Sequence, residues 1–230
     1  MKKLLIPFVC CLLAAWSCNL EGSYYAENVS EIVTIQSGKL VRDNGLTLTV
    51  VQESGATVSS LEEGGRYYLL FDILKQYYSE SGTAVNEIRL KDATPVEIIV
   101  PTPASEAEEI TACDPVLFDF NWISEKYLDM GLVIYTDPKS NCAHSLFARY
   151  SLDDTGNVLS LYLYHDGNNE NPAYMEEKSL QTKRRVISIP MDRWENLQEL
   201  RLTCDRLTRD GESGSYKVVR ITSSTTGRVE

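Results

Sequence analysis

Few side chains in this sequence could do chemistry, and their spacing argues against catalysis. His144 and His165 are the only two histidines. Neither stands in a spacing that builds a zinc site or a hydrolase triad, and a histidine flanking a hairpin is expected as a polar rim residue. Residues 211–215 read Gly-Glu-Ser-Gly-Ser, which approaches the turn that exposes a nucleophilic serine. Ser215 replaces the second glycine of that turn and strand-like runs flank it, so an ordinary turn is expected. Asp166, Asn168 and Glu170 place oxygen side chains at alternate positions as a calcium loop does, but the glycine, Gly167, is second where such loops have it sixth. A hairpin tip accounts for the run as well. Lys183, Arg184 and Arg185 beside Val186 are expected to guard an exposed strand edge. Catalytic residues, cofactor and metal are therefore all expected to be none, and the chain is read as a non-enzyme.

The residue with the clearest chemistry is Cys18. Residues 1–18 comprise Lys2 and Lys3, an apolar run over 4–16, and Ser17 directly before the cysteine. That run is far short of the roughly 20 apolar residues that cross a bilayer. A small residue and then a cysteine just past such a run make a lipobox, so residues 1–17 are read as a lipoprotein signal peptide and Cys18 as the acylated first residue of the mature chain. Two or more acyl chains hold a protein on a membrane where one is marginal. Attachment through lipid on Cys18, in the bacterial envelope and at its outer membrane, is the expectation. Among the other cysteines, Cys113, Cys142 and Cys204 lie in the mature chain without CxxC spacing, and any pairing among them is open.

Without Lys2 and Lys3 the chain keeps 20 basic against 33 acidic residues, a net of −13. Such a surface repels phosphate backbones, so nucleic acid is excluded as a partner and a cationic peptide or protein is favoured. Residues 101–230 carry the larger acidic excess and are the expected docking side.

The elements that must carry these residues are strands. After a polar tether over 18–28, the pattern has period two. Ile32, Val33 and Ile35 open it, Leu46, Leu48 and Val50 alternate, and Tyr67, Leu69, Phe71 and Ile73 form another apolar face. With runs over 85–90 and 96–100, five strands in residues 29–100 suit a small OB-like barrel. Residues 101–112, rich in Pro, Glu and small side chains, read as a linker. About seven strands then fill 113–230, with a hairpin turn at 153–157, which is the density of a β-sandwich. The fold class expected is all-β, a five-stranded OB-like barrel followed by a C-terminal β-sandwich. A turn or two of helix is allowed only at 73–78 and 191–197. Tyr67 and Tyr68 are adjacent, so one of them must face away from the barrel interior, where with Tyr77 and Tyr78 it could form an aromatic patch.

The lipobox and three later stretches together resemble the NigD-like lipoproteins: residues 64–74 (Gly-Gly-Arg-Tyr-Tyr-Leu-Leu-Phe-Asp-Ile-Leu), Trp122-Ile123 with Tyr127-Leu128, and residues 159–166, which end in His165-Asp166. The resemblance covers nearly all of the mature chain. It implies an N-terminal OB domain and a C-terminal β-sandwich, and for the founding member a part in bacteriocin immunity. It carries no functional residues across. The chain departs from the family in having Asn19-Leu20-Glu21 where aspartates often follow the lipid cysteine. The function expected is a non-catalytic envelope lipoprotein serving bacteriocin immunity or other peptide binding, with a cell-surface glycan- or protein-binding module as the alternative.

Replacing Cys18 by alanine should abolish incorporation of radiolabelled fatty acid and release the protein from the detergent phase. Undiminished labelling of Cys18→Ala would refute the assignment.

Overall fold

The computed structural model describes residues 25–80, 82–104, 114–124, 126–140, 142–168, 170, 180–194, 197–207 and 213–220, with backbone alone for 206, 207 and 213–220. Cys18 and the signal segment lie outside these residues.

The first unit is a closed five-stranded barrel in the order β1-β2-β3-β5-β4. Its strands are β1 (Ala26–Gln36), β2 (Lys39–Val41), β3 (Thr47–Glu53), β4 (Arg66–Tyr78) and β5 (Ala84–Pro95). All neighbours are antiparallel except β3 and β5, whose parallel pairing closes the ring. The interior follows the period of two: Val33 and Ile35 on β1 meet Leu69, Phe71 and Ile73 on β4 and Ile88 on β5, all buried. Residues 73–78, allowed a turn of helix by the sequence, continue strand β4. Propensity there is ambiguous, and pairing of Lys75 through Tyr78 with β5 decides the conformation.

The second unit is a sandwich of two sheets, β14-β13-β11-β10-β7 and β6-β12-β9-β8. They are built from β6 (Glu97–Ile98), β7 (Thr102–Pro103), β8 (Leu117–Ile123), β9 (Tyr127–Thr136), β10 (Ser145–Leu152), β11 (Val158–Asp166), β12 (Gln181–Pro190), β13 (Glu199–Leu207) and β14 (Ser213–Arg220). Met130, Leu132, Leu159, Leu161, Ile187 and Ile189 are among the side chains of the core between them. The turn expected at 153–157 joins β10 and β11, with one Asp153 oxygen accepting the amides of Asn157 and Val158. The run at 96–100 was expected as the barrel's fifth strand, and here the structure differs. Its strand β6 pairs with Ile187 and Ser188 of the sandwich, and the barrel's fifth strand is instead the three-residue β2. Likewise Thr102 and Pro103, placed by sequence in the linker, pair with β10, while 105–113 lie outside the described residues.

The barrel wall packs on the outer face of the β6-β12-β9-β8 sheet. Ile32, Val96 and Val186 are buried there with Tyr68, Phe120 and Trp122 around them. Tyr67 turns into the barrel and Tyr68 outward into this seam, as alternation requires. Gly131 shapes the contact. A Cβ at this position would lie 2.4 Å from Phe120 Cε1, so the absence of a side chain lets the Phe120 ring lie across β9 and stack on Tyr68 with 5.5 Å between centroids.

Gly131→Ala should therefore lower stability by about 1–3 kcal/mol through overpacking. In a Phe120→Leu background most of that loss should vanish, as read from urea midpoints. Equal losses in both backgrounds would count against the steric account.

Candidate functional site

Polar groups concentrate in three places, beginning with Arg66, the first residue of β4. Its side chain is completely buried where the barrel meets the sandwich. Nε donates to Ser188 Oγ at 3.0 Å, one terminal nitrogen donates to Asp43 at 2.6 Å and Thr34 at 3.1 Å, and the other reaches both oxygens of Asp129 at 3.1 and 3.2 Å. The Tyr127 ring covers the guanidinium, its centroid 3.6 Å from the central carbon. Asp129 also accepts the indole N–H of Trp122 at 3.0 Å and a short bond from Ser188. Burial pushes the Asp129 carboxyl up, opposed by the charge of Arg66 and the bonds from Ser188 and Trp122. Burial also works against the charge of Arg66, but the bond to Asp43 and the charges of Asp129 and Asp43 hold its pKa above the ordinary value. With every donor satisfied on carboxylate or hydroxyl oxygen, the geometry is that of a fully ionised pair.

Beside this network, a groove of about 330 Å³ opens along the seam, lined by Ser30, Tyr68, Leu70, Asp92, Thr94, Arg184 and Val186. Arg184 lies over the rings of Tyr68 and Phe120, 4.8 and 5.4 Å from their centroids, donates to the Tyr68 hydroxyl and pairs with Asp119 at 2.7 Å. The ring faces are thus already occupied by one another and by Arg184. The groove offers a ring edge, a hydroxyl and charges of both signs, which suits a polar chain better than the flat face of a sugar. Tyr77 and Tyr78 do not contribute to it: nine residues along β4 from Tyr68, at about 3.3 Å each, put Tyr77 roughly 30 Å away.

The third place joins the two histidines that sequence spacing kept apart. His165 Nε2 lies 3.1 Å from His144 Nδ1, and His144 Nε2 lies 3.0 Å from Glu170 Oε2. His165 Nδ1 faces the Asp114 carbonyl at 3.3 Å. Gly167 leaves room for this stack, since a Cβ would sit 2.9 Å from His165 Cε1. Burial and then the charge of His144 push the His165 imidazole down. Burial works against the Glu170 carboxylate, but bonds from Ser140, the Asp137 amide and His144 keep it low. This relay pins the loop after β9 to the end of β11. Glu170, read in the sequence as a calcium-loop candidate, is used here as an acceptor, and among the described residues no group of three His, Cys, Asp or Glu side chains is placed to hold a metal. Of the three cysteines beyond Cys18, Cys142 is exposed, Cys204 is buried in the sandwich core and Cys113 is outside the described residues. The run at 211–215 is partly outside them.

No protein-family model matches the sequence, and no curated protein is similar to it. Solved structures are similar over nearly the whole chain. A DUF1344 protein of unknown function from Bacteroides vulgatus shares 20% identity, covering 90% of this chain and 96% of that one at a TM-score of 0.62. A NigD-like immunity protein from Bacteroides caccae shares 18% identity, covering 86% and 97%, with a TM-score of 0.53. The chain has the NigD-like fold. A candidate lipoprotein from Bacteroides fragilis shares 11% identity over 86% of this chain and 100% of its own, with a TM-score of 0.55. The NigD-like arrangement of barrel and sandwich is thus the frame in which Arg66 and the seam groove sit.

Removing the guanidinium leaves Asp129 buried without its counter-charge, so Arg66→Met should cost about 3–5 kcal/mol at neutral pH. In that variant the Asp129 pKa would rise far above the unfolded value of about 3.9, so the deficit should shrink as pH falls through the raised folded value and Asp129 takes up a proton. Urea titrations at several pH values measure this, and a deficit independent of pH would argue against an isolated carboxylate as its cause.

Proposed function

We propose that this protein is an envelope lipoprotein, acylated at Cys18, that acts by binding, and that its ligand is a cationic peptide of the kind a bacteriocin immunity protein intercepts. The observation that carries the reading is the seam groove, a polar cleft between two domains bridged by a buried ion network. Supporting it are the lipobox at residues 17–18, the net charge of −13 after signal removal, and the shared fold with a NigD-like immunity protein. The most concentrated polar chemistry of the described residues, at Arg66 and at His165, is engaged with internal partners and serves the scaffold. On this reading the acidic surface steers the encounter, and Asp92, exposed beside Thr94 in the groove, meets the basic side chain of the ligand. The membrane attachment would lie at the outer membrane. A surface module that binds a glycan or another protein is the second reading, for which the Tyr68 hydroxyl, Asp92 and Thr94 of the groove supply hydrogen-bonding groups rather than a ring face.

Expression in a strain sensitive to a cationic peptide encoded beside this gene should give protection that is lost in Cys18→Ala. Binding should weaken markedly as salt screens the surface charge over about 8 Å, and Asp92→Lys should weaken it roughly tenfold at low salt. Failure to protect against any such peptide, or binding indifferent to salt, would leave the second reading standing in its place.

A further inference from the structure

Seven large hydrophobic side chains are exposed among the described residues, and three of them, Tyr25, Tyr77 and Tyr78, lie at one end of the barrel. Ala26 pairs with Ile73, so Tyr25 enters the barrel alongside the last third of β4. From Ile73, β4 runs on five more residues to Tyr78, paired with β5 as far as Ala84. At about 3.3 Å per residue, this carries the hairpin roughly 16 Å past the first pair of β1. The tip is closed by a tight turn in which the Ser79 amide donates to the Thr83 carbonyl at 2.9 Å and the Gly82 amide to the Ser79 carbonyl at 2.8 Å. Tyr78 is 76% exposed, and the Lys75 ammonium stands 4.9 Å above the Tyr77 ring. The opposite end of β4 begins at Arg66, where the sandwich is attached. The exposed tyrosines therefore gather at the barrel end away from the second domain.

Cys18 precedes Tyr25 by seven residues, and an extended chain spans at most about 3.5 Å per residue. An acyl group on Cys18 would hold this end of the barrel, rather than the sandwich, within about 25 Å of the bilayer. Tyrosine is enriched where membrane meets water, because its ring is apolar and its hydroxyl can remain among the headgroups. A lysine at the same depth finds anionic lipid phosphates. We propose that the β4–β5 hairpin tip is a membrane-contact surface: Tyr77 and Tyr78, with Tyr25 beside the tether, rest in the headgroup region of the bilayer that holds the acyl chains. The barrel then stands on end and the sandwich points away from the membrane. This rests on the lipid-anchor reading above.

To separate the two, the mature chain with a hexahistidine segment in place of Cys18 can be held on phosphatidylethanolamine–phosphatidylglycerol vesicles doped with a nickel-chelating lipid. The tether point is kept whether or not cells acylate Cys18. Tyr78→Trp then introduces an indole at the tip, where the parent's exposure shows that the fold tolerates it. A quencher carried just below the headgroups should reduce its added fluorescence by at least about twofold relative to vesicle-free protein, and Tyr25→Ser with Tyr77→Ser should diminish that effect. An indole that stays unquenched on vesicle-bound protein overturns the proposal, as does its burial in a dimer that forms without vesicles. A wild-type Cys18 that takes up no fatty acid in cells overturns the anchor reading by a separate measurement.

Discussion

A guanidinium deprived of water needs all five of its N–H donors answered, and at Arg66 the answers come from both domains. Asp43 and Thr34 belong to the barrel, Asp129 and Ser188 to the sandwich. Breaking such a buried pair by removing one partner is far more damaging than never having had it, because the remaining charge has nowhere to find solvent. The network therefore fixes orientation more than it adds net stability. The barrel can meet the β6-β12-β9-β8 sheet only in the rotation that brings Arg66 over Asp129, and the groove beside Tyr68 inherits its shape from that rotation.

The apolar part of the seam follows from the same alignment. Val186, Gly131 and Phe120 lie in one row across β12, β9 and β8, and Ser188, Asp129 and Trp122 in the next. One row is dry and stacks on Tyr68; the other is polar and closes on Arg66. A shift of one residue along β9 would exchange the two faces of that strand, sending Asp129 into the sandwich core and Met130 out. The buried charge thus acts as a register pin for the whole sheet.

Most of the strand framework was legible because half-buried strands advertise themselves. The alternation of Leu69, Phe71 and Ile73, and the two arms flanking residues 153–157, follow from the geometry of a sheet with one wet face. Strands β2 and β7 were not legible, being two or three residues long and formed by pairing with other strands rather than by any local pattern, and β6, legible as a strand within 96–100, gave no sign that its partner is β12 of the sandwich. The site was less readable than the fold. Asp129, lodged between Leu128 and Met130 in an apolar strand, was a signal in principle: a carboxylate amid buried neighbours demands a partner. Sequence could not say that the partner is Arg66, 63 residues away. The histidine relay was hidden for the same reason, since His144 and His165 meet only through the loops that bring Glu170 and Asp114 around them.

The short pairings of β6 and β7 also bear on the order of assembly. All five barrel strands lie in one unbroken stretch, Ala26 to Pro95, whereas the sandwich sheets draw on strands from Glu97 through Arg220. A chain delivered across a membrane from its N-terminus would present the complete barrel first, with the Arg66 charge still open to water at its base. The sandwich would then condense against a finished surface. Asp129 and Ser188 would then arrive last and pair with that charge, so on this order the closing step of assembly would be the one that takes a fully buried cation of the barrel out of solvent.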